Sequence, residues 1–163
     1  MSDFGVCLGW LLDVEDPHRT WKKVPDAGGY AIGGINSRFF RADFNRIDAV
    51  PQDQRGPAIT EFYRNNFWNK YFDALISTEV AKRVFDAAVN QGPNTAVKLL
   101  QLAVDSVSCS HLCADGLWGE ETLSTVNAAP AEALVHAYKN ERLKEYQRIG
   151  GRNLKAWIAR ASR

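Results

Sequence analysis

Two carboxylates and their neighbours hold the chemistry that this sequence offers. Glu15 closes the stretch F-G-V-C-L-G-W-L-L-D-V-E at 4–15, and Asp26 opens D-A-G-G-Y-A-I-G-G-I at 26–35. At about 100° per residue, Phe4, Leu8 and Leu11 each fall within roughly 40° of Glu15, with Cys7 and Leu12 flanking them. An apolar helical face thus ends on an acid, pointing where a core should be. Desolvation there disfavours the charged carboxylate, and so does the negative end of the helix dipole. A carboxyl kept protonated is what a general acid needs to protonate a glycosidic oxygen, provided that a second carboxylate nearby stays ionised. Asp26 is the candidate for that second group, in a loop whose glycines let backbone approach a ligand closely. Other readings stay open: Glu15 pairs with a buried Arg or Lys, or its face is less buried than the pattern suggests, and Asp26 only shapes a turn before the glycines.

Periodicity predicts the helices and loops around these groups. A first helix runs from about Ser2 or Asp3 to Glu15 and is closed by Asp16-Pro17, because proline disfavours helical geometry in the residue before it. Residues 17–37 hold no helical period, and Gly28, Gly29, Gly33 and Gly34 among apolar residues predict a turn-rich loop or a small β-hairpin. Helices are then expected near 39–48, 57–72, 78–90, 94–107, 119–127, 130–149 and 152–161. The second of these carries Ile59, Phe62, Tyr63, Phe67, Trp68 and Tyr71 as an aromatic stripe, which reads as core before it reads as a sugar platform. Gln91-Gly92-Pro93 ends one helix, and Asn94 and Pro130 mark starts. The class is mainly α.

Bulk composition narrows the setting. The chain has 163 residues, 45% hydrophobic and 24% charged, enough for one packed core without staples or metals. A net charge of +1 gives no reason to expect nucleic acid. Basic residues gather only at the end, where Arg142, Lys144, Arg148, Arg152, Lys155, Arg160 and Arg163 read as solvated helix faces. No apolar run is long enough for a membrane span, and the N-terminus lacks the pattern of a signal peptide. Cys7 falls on the apolar face of the first helix and is expected to be a reduced core thiol. C-S-H-L-C at 109–113 could bring Cys109, His111 and Cys113 to a metal or close a small disulfide, but it has no second ligand pair at zinc spacing. A metal-free loop is the expectation.

Further along, several segments share one pattern with a known family: F-Y-R-N-N-F-W at 62–68, V-F-D-A-A-V-N-Q-G at 84–92, L-L-Q-L-A-V at 99–104, D-G-L-W-G-E-E-T at 115–122 and R-N-L-K-A-W-I-A-R at 152–160. With V-E-D-P at 14–17 and the D-A-G-G loop, their succession resembles the N-acetylmuramidases of glycoside hydrolase family 108, small peptidoglycan hydrolases with a lysozyme-like helical fold. The resemblance implies a lysozyme-like helical bundle with a small Gly-rich loop or β-hairpin beside the active-site cleft. It implies a single domain over 1–163, with a catalytic half at 1–92 and a helical, peptidoglycan-binding-like half at 93–163. Glu15 becomes the general acid and Asp26 its partner, cutting between N-acetylmuramic acid and N-acetylglucosamine. Tyr30, Asp86, Asn90 and Gln91 become substrate contacts, although Asp86 and Asn90, four apart on one helix face, read equally as an internal brace. Gly116, Gly119 and Trp118 read first as a turn and its anchor.

No metal or organic cofactor is implied, and the partner is peptidoglycan, without nucleic acid or membrane insertion. The expected setting is a monomer made in the cytoplasm without a signal peptide. It would reach the cell wall in the periplasm or outside the cell, through a holin as a phage or prophage endolysin, or on a virion. Three departures from the family pattern matter. Asp16-Pro17 replaces the usual Gly-Gly after the Glu, the interval from Glu to Asp is longer, and Ala31 stands where the loop has a Thr. A lost hydroxyl contact costs about 1–3 kcal/mol of transition-state stabilisation, or about ten- to a hundredfold in rate. Thr20 or Tyr30 could supply a hydroxyl instead. The competing reading is a catalytically weakened peptidoglycan-binding or structural module on the same fold.

Overall fold

The computed structural model describes residues 1–26 and 28–163; Ala27 of the D-A-G-G run lies outside the described residues. The chain divides into two compact units, an N-terminal one of Phe4–Asn69 and a C-terminal one of Lys70–Arg163 with Met1–Asp3.

In the N-terminal unit, α1 spans Phe4–Glu15 and buries Cys7, Leu8, Leu11 and Leu12. Next comes a three-stranded antiparallel sheet, in the order β1 (Lys23–Asp26), β2 (Gly29–Ile32) and β3 (Ile35–Asn36). This is the expected hairpin with one strand more. Ile32 and Ile35 are fully buried on its inner face, while the loop after β3 leads to α2 (Arg41–Asp48). α3 (Arg55–Phe67) adds Ile59, Phe62 and Tyr63 to the same core. The expectation of one unbroken helix over 57–72 is corrected: Trp68 adopts an extended conformation, and α4 (Lys70–Ala74) starts afresh. That conformation lets the buried indole pack edge-on to Phe4, with ring centroids 5.2 Å apart, a contact that outweighs local helix propensity.

In the C-terminal unit, α5 (Thr78–Gln91) is capped by the Ser77 side chain and ends at Gly92, whose positive φ lets Pro93 begin α6 (Pro93–Ser108) at once. α7 (Glu120–Ala128), α8 (Ala131–Ile149) and α9 (Leu154–Ala161) complete it. Val84, Phe85, Leu100, Val104, Leu134 and Tyr138 are buried among these helices. Two basic residues expected on solvated faces lie inside instead. Arg142 is 1% exposed and, with Arg160, grips the fully buried Asp86. Predominantly helical, with one small antiparallel sheet, the chain has the mainly α, lysozyme-like fold. No described helix is long and apolar enough to cross a membrane.

Candidate active site

The apolar stripe of α1 runs out at its last turn, so Glu15 stands half-buried at the margin of the core and not inside it, as the periodicity alone suggested. Residues 16–21 clamp the helix end. The Asp16 carboxylate accepts from the backbone N–H of Thr20 at 3.0 Å and of Trp21 at 2.7 Å, and from the Thr20 hydroxyl. Arg19, with φ of 50°, reaches back to the carbonyls of Gly9 (2.8 Å) and Asp16 (2.9 Å) and to the Asp13 carboxylate (2.7 Å). A guanidinium near a helix C-terminus is favoured by the negative end of the helix dipole. The Asp16-Pro17 departure therefore forms an ordered turn. Arg55 pins the next stretch by donating to the Trp21, Asp48 and Val50 carbonyls.

The sheet supplies the second carboxylate. Gly33 and Gly34, both at positive φ, join β2 to β3 by the two-residue turn that suits the sheet twist. The turn is locked by Tyr63, whose buried hydroxyl donates to the Gly33 carbonyl at 2.8 Å. A Cβ on Gly34 would sit 2.6 Å from that hydroxyl and 2.8 Å from Glu15 Oε2, so the backbone can come this close to the acid only without a side chain. Asp26 ends β1 exposed, and its Oδ2 accepts from Asn36 Nδ2 at 2.8 Å. Glu15 and Asp26 line one cleft of about 300 Å³, together with Thr20, Lys22, Ala31 and Gly34. The sequence-predicted pair is thus brought to a common, polar, open site.

The other expected residues sort differently. Tyr30 does not line that cleft: strand pleating sends it to the face opposite Ala31, where its half-exposed ring lies under the Lys23 ammonium. Across the strands it pairs with Pro25, which does line the cleft. Thr20 does line the cleft, with its hydroxyl donating to Asp16. In the C-terminal unit Asp86 is wholly buried, with Oδ2 2.8 Å from Arg142 and Oδ1 2.8 Å from Arg160. That carboxylate is a brace and has no surface left for a sugar, which corrects its assignment as a substrate contact. Asn90 accepts a hydrogen bond from the Tyr146 hydroxyl. Gln91 accepts from Arg142 Nε at 3.1 Å, which leaves its buried Nε2 without a hydrogen-bond partner among the described residues. Asn90 and Gln91 line a separate hollow of about 260 Å³ with Tyr146 and Trp157, whose rings stack at 5.4 Å.

The D-G-L-W-G segment is organised from within. Buried Gln101 donates to Asp115 (2.9 Å), the Leu117 carbonyl (3.1 Å) and Thr122 (3.2 Å), and accepts from the Gly116 N–H (2.9 Å). Trp118 stacks on Tyr71 at 5.5 Å. Cys7 is a buried thiol, and Cys109 and Cys113 are exposed free thiols. Among the described residues no cluster of His, Cys, Asp or Glu could hold a metal.

Sequence reasoning missed Asn36, Arg19 and Gln101. Asn36 had a usable signal, since a polar residue directly after a Gly-Gly-Ile run can face the same side as the loop acid. Arg19 and Gln101 act through long-range contacts that spacing does not show.

Residues 15–92 match the family described as Glycosyl hydrolase 108, in agreement with the resemblance of the sequence. A solved structure, that of Brucella abortus SagA, is similar with a TM-score of 0.69 and 25% identity over 98% of this chain and 89% of that one. No curated protein is matched.

Proposed function

We propose that this chain, a member of the glycosyl hydrolase 108 family by the match over residues 15–92, is a peptidoglycan hydrolase that cuts the β-1,4 bond between N-acetylmuramic acid and N-acetylglucosamine. The observation that carries the reading is the pair Glu15 and Asp26 lining one cleft, on α1 and β1. Glu15 donates its proton to the glycosidic oxygen as the bond to the sugar carbon breaks. Asp26 either takes a proton from the attacking water or faces the oxocarbenium-like transition state as a carboxylate. In the C-terminal unit, the Asn90 amide nitrogen and the Trp157 ring in the hollow beside Tyr146 offer a donor and a ring face to an acetamido sugar. Trp157→Ala is then expected to raise KM with kcat little changed; an unchanged KM removes the hollow from the reading.

The test is release of soluble muropeptides from purified peptidoglycan by wild type and Glu15→Gln, with mass spectrometry of the new reducing ends. Reducing-end muramic acid from wild type alone supports the reading. If neither cuts and both sediment with the wall, the weakened binding module that Ala31 first suggested is the better account.

A further inference from the structure

A carboxylate that activates water or faces a cation must be held in one orientation, and the sheet register shows what holds Asp26. Ala31 pairs across the strands with Val24 on one side and Asn36 on the other. Directly opposed residues share a face, and Asp26, two residues beyond Val24, shares it too. Asn36 is 8% exposed at this face. Its amide has one sensible orientation: Oδ1 accepts from the Arg38 backbone N–H at 2.7 Å, so the NH2 end is turned to Asp26, 2.8 Å from Oδ2. At position 31, between Val24 and Asn36, there is only a methyl group.

We infer that Asn36 is the positioning residue for Asp26, doing from β3 what a hydroxyl at position 31 would do from β2. The inference rests on the reading of Asp26 as the second carboxylate of the cleft. A neutral donor suits this task. It stabilises the ionised carboxylate and limits its rotation, and it adds no positive charge to cancel the negative one that the reaction uses. The backbone N–H of Arg38 in turn fixes the Asn36 amide, so the orientation is set before substrate arrives. On this account Ala31 does not mark a lost activity.

The experiment measures kcat, KM and the pH–rate profile on soluble peptidoglycan fragments. Asn36→Ala is expected to lower kcat about tenfold or more with KM held within about twofold, because the contact matters most as charge develops. The acidic limb of the profile should move toward neutral. Asn36→Asp keeps the shape and the acceptor for Arg38 while setting a second carboxylate against Asp26, so it should fold and move that limb further. Ala31→Thr should restore rate in the Asn36→Ala background by a larger factor than it adds to wild type. Two outcomes overturn the inference: a folded Asn36→Asp with wild-type kcat and an unmoved limb, or an Asn36→Ala loss that shifts no limb and is not relieved by Ala31→Thr. Should wild type cut nothing, the muramidase reading fails by itself. The inference is then read by NMR, where the Asn36 side-chain amide must follow the titration of Asp26; an amide that does not respond sinks it.

Discussion

Asp26 and Asp86 are both carboxylates gripped by side chains from other elements, and they are gripped in opposite ways. Asp86 is fully buried and meets two guanidiniums, with Arg142 on Oδ2 and Arg160 on Oδ1. Burial pulls the Arg142 guanidinium toward neutrality, yet the adjacent Asp86, Tyr138 and Tyr146 outweigh it and hold its proton more firmly than usual. Such a group serves structure alone: its charge is cancelled and its oxygens are covered. Asp26 is exposed and held by a neutral amide. A neutral grip sets direction and leaves the charge in place, which is the condition for chemistry. Among the described contacts, the two carboxylates differ in the charge of the group that holds them.

Replacing each acid should therefore damage a different property. Glu15→Gln carries the largest effect: loss of a general acid is expected to cost about 10²–10⁴ in rate, with the melting temperature unchanged, read from muropeptide release beside thermal denaturation. A substantial drop in melting temperature would show that Glu15 braces the fold. Asp86→Ala should do the reverse. Leaving Arg142 and Arg160 buried without their anion is expected to cost about 3–5 kcal/mol of stability, while the folded fraction keeps its rate on soluble fragments. Urea unfolding measures it, and a rate loss without a stability loss would erase the contrast between the two carboxylates.

The same contrast explains what the sequence made legible. Helix positions came through because they depend on local period and punctuation: Gln91-Gly92-Pro93 marked the joint of α5 and α6, and Asp16-Pro17 marked the end of α1. The break at Trp68 did not, since its cause is a contact with Phe4 far along the chain. Of the candidate site, Glu15 and Asp26 stood out by residue type and surroundings, and they line one cleft, but the depth of Glu15 was not readable. Periodicity reports the face of a helix, whereas exposure at the last turn depends on where the core ends. Asp86 and Asn90 shared a face as expected, yet only the guanidiniums of Arg142 and Arg160, distant in sequence, decide that Asp86 is internal.

Between a cancelled charge and a usable one lies Asp115, and it gives the finer tests. Gln101→Ala strips Gly116, Leu117 and Thr122 of a shared buried partner and is expected to cost about 1–3 kcal/mol, measured as a lower urea midpoint; an unchanged midpoint would mean that the D-G-L-W-G turn stands on its own glycines.

Asp115→Asn should have the smallest effect, and one that depends on pH. The Leu117 N–H, then Gln101, hold the Asp115 carboxyl below its ordinary value of 3.8. A carboxyl depressed in the folded state binds fewer protons there than in the unfolded chain, so it adds stability at pH above the unfolded value and loses that contribution as pH falls through the folded one. Wild type should thus exceed Asp115→Asn in urea midpoint at neutral pH, and the gap should close on acidification below 3.8. A gap of the same size at both ends would show that Asp115 holds this turn by hydrogen-bond geometry alone, placing it beside Gln101 and Asp86 among the groups whose charge is not in use.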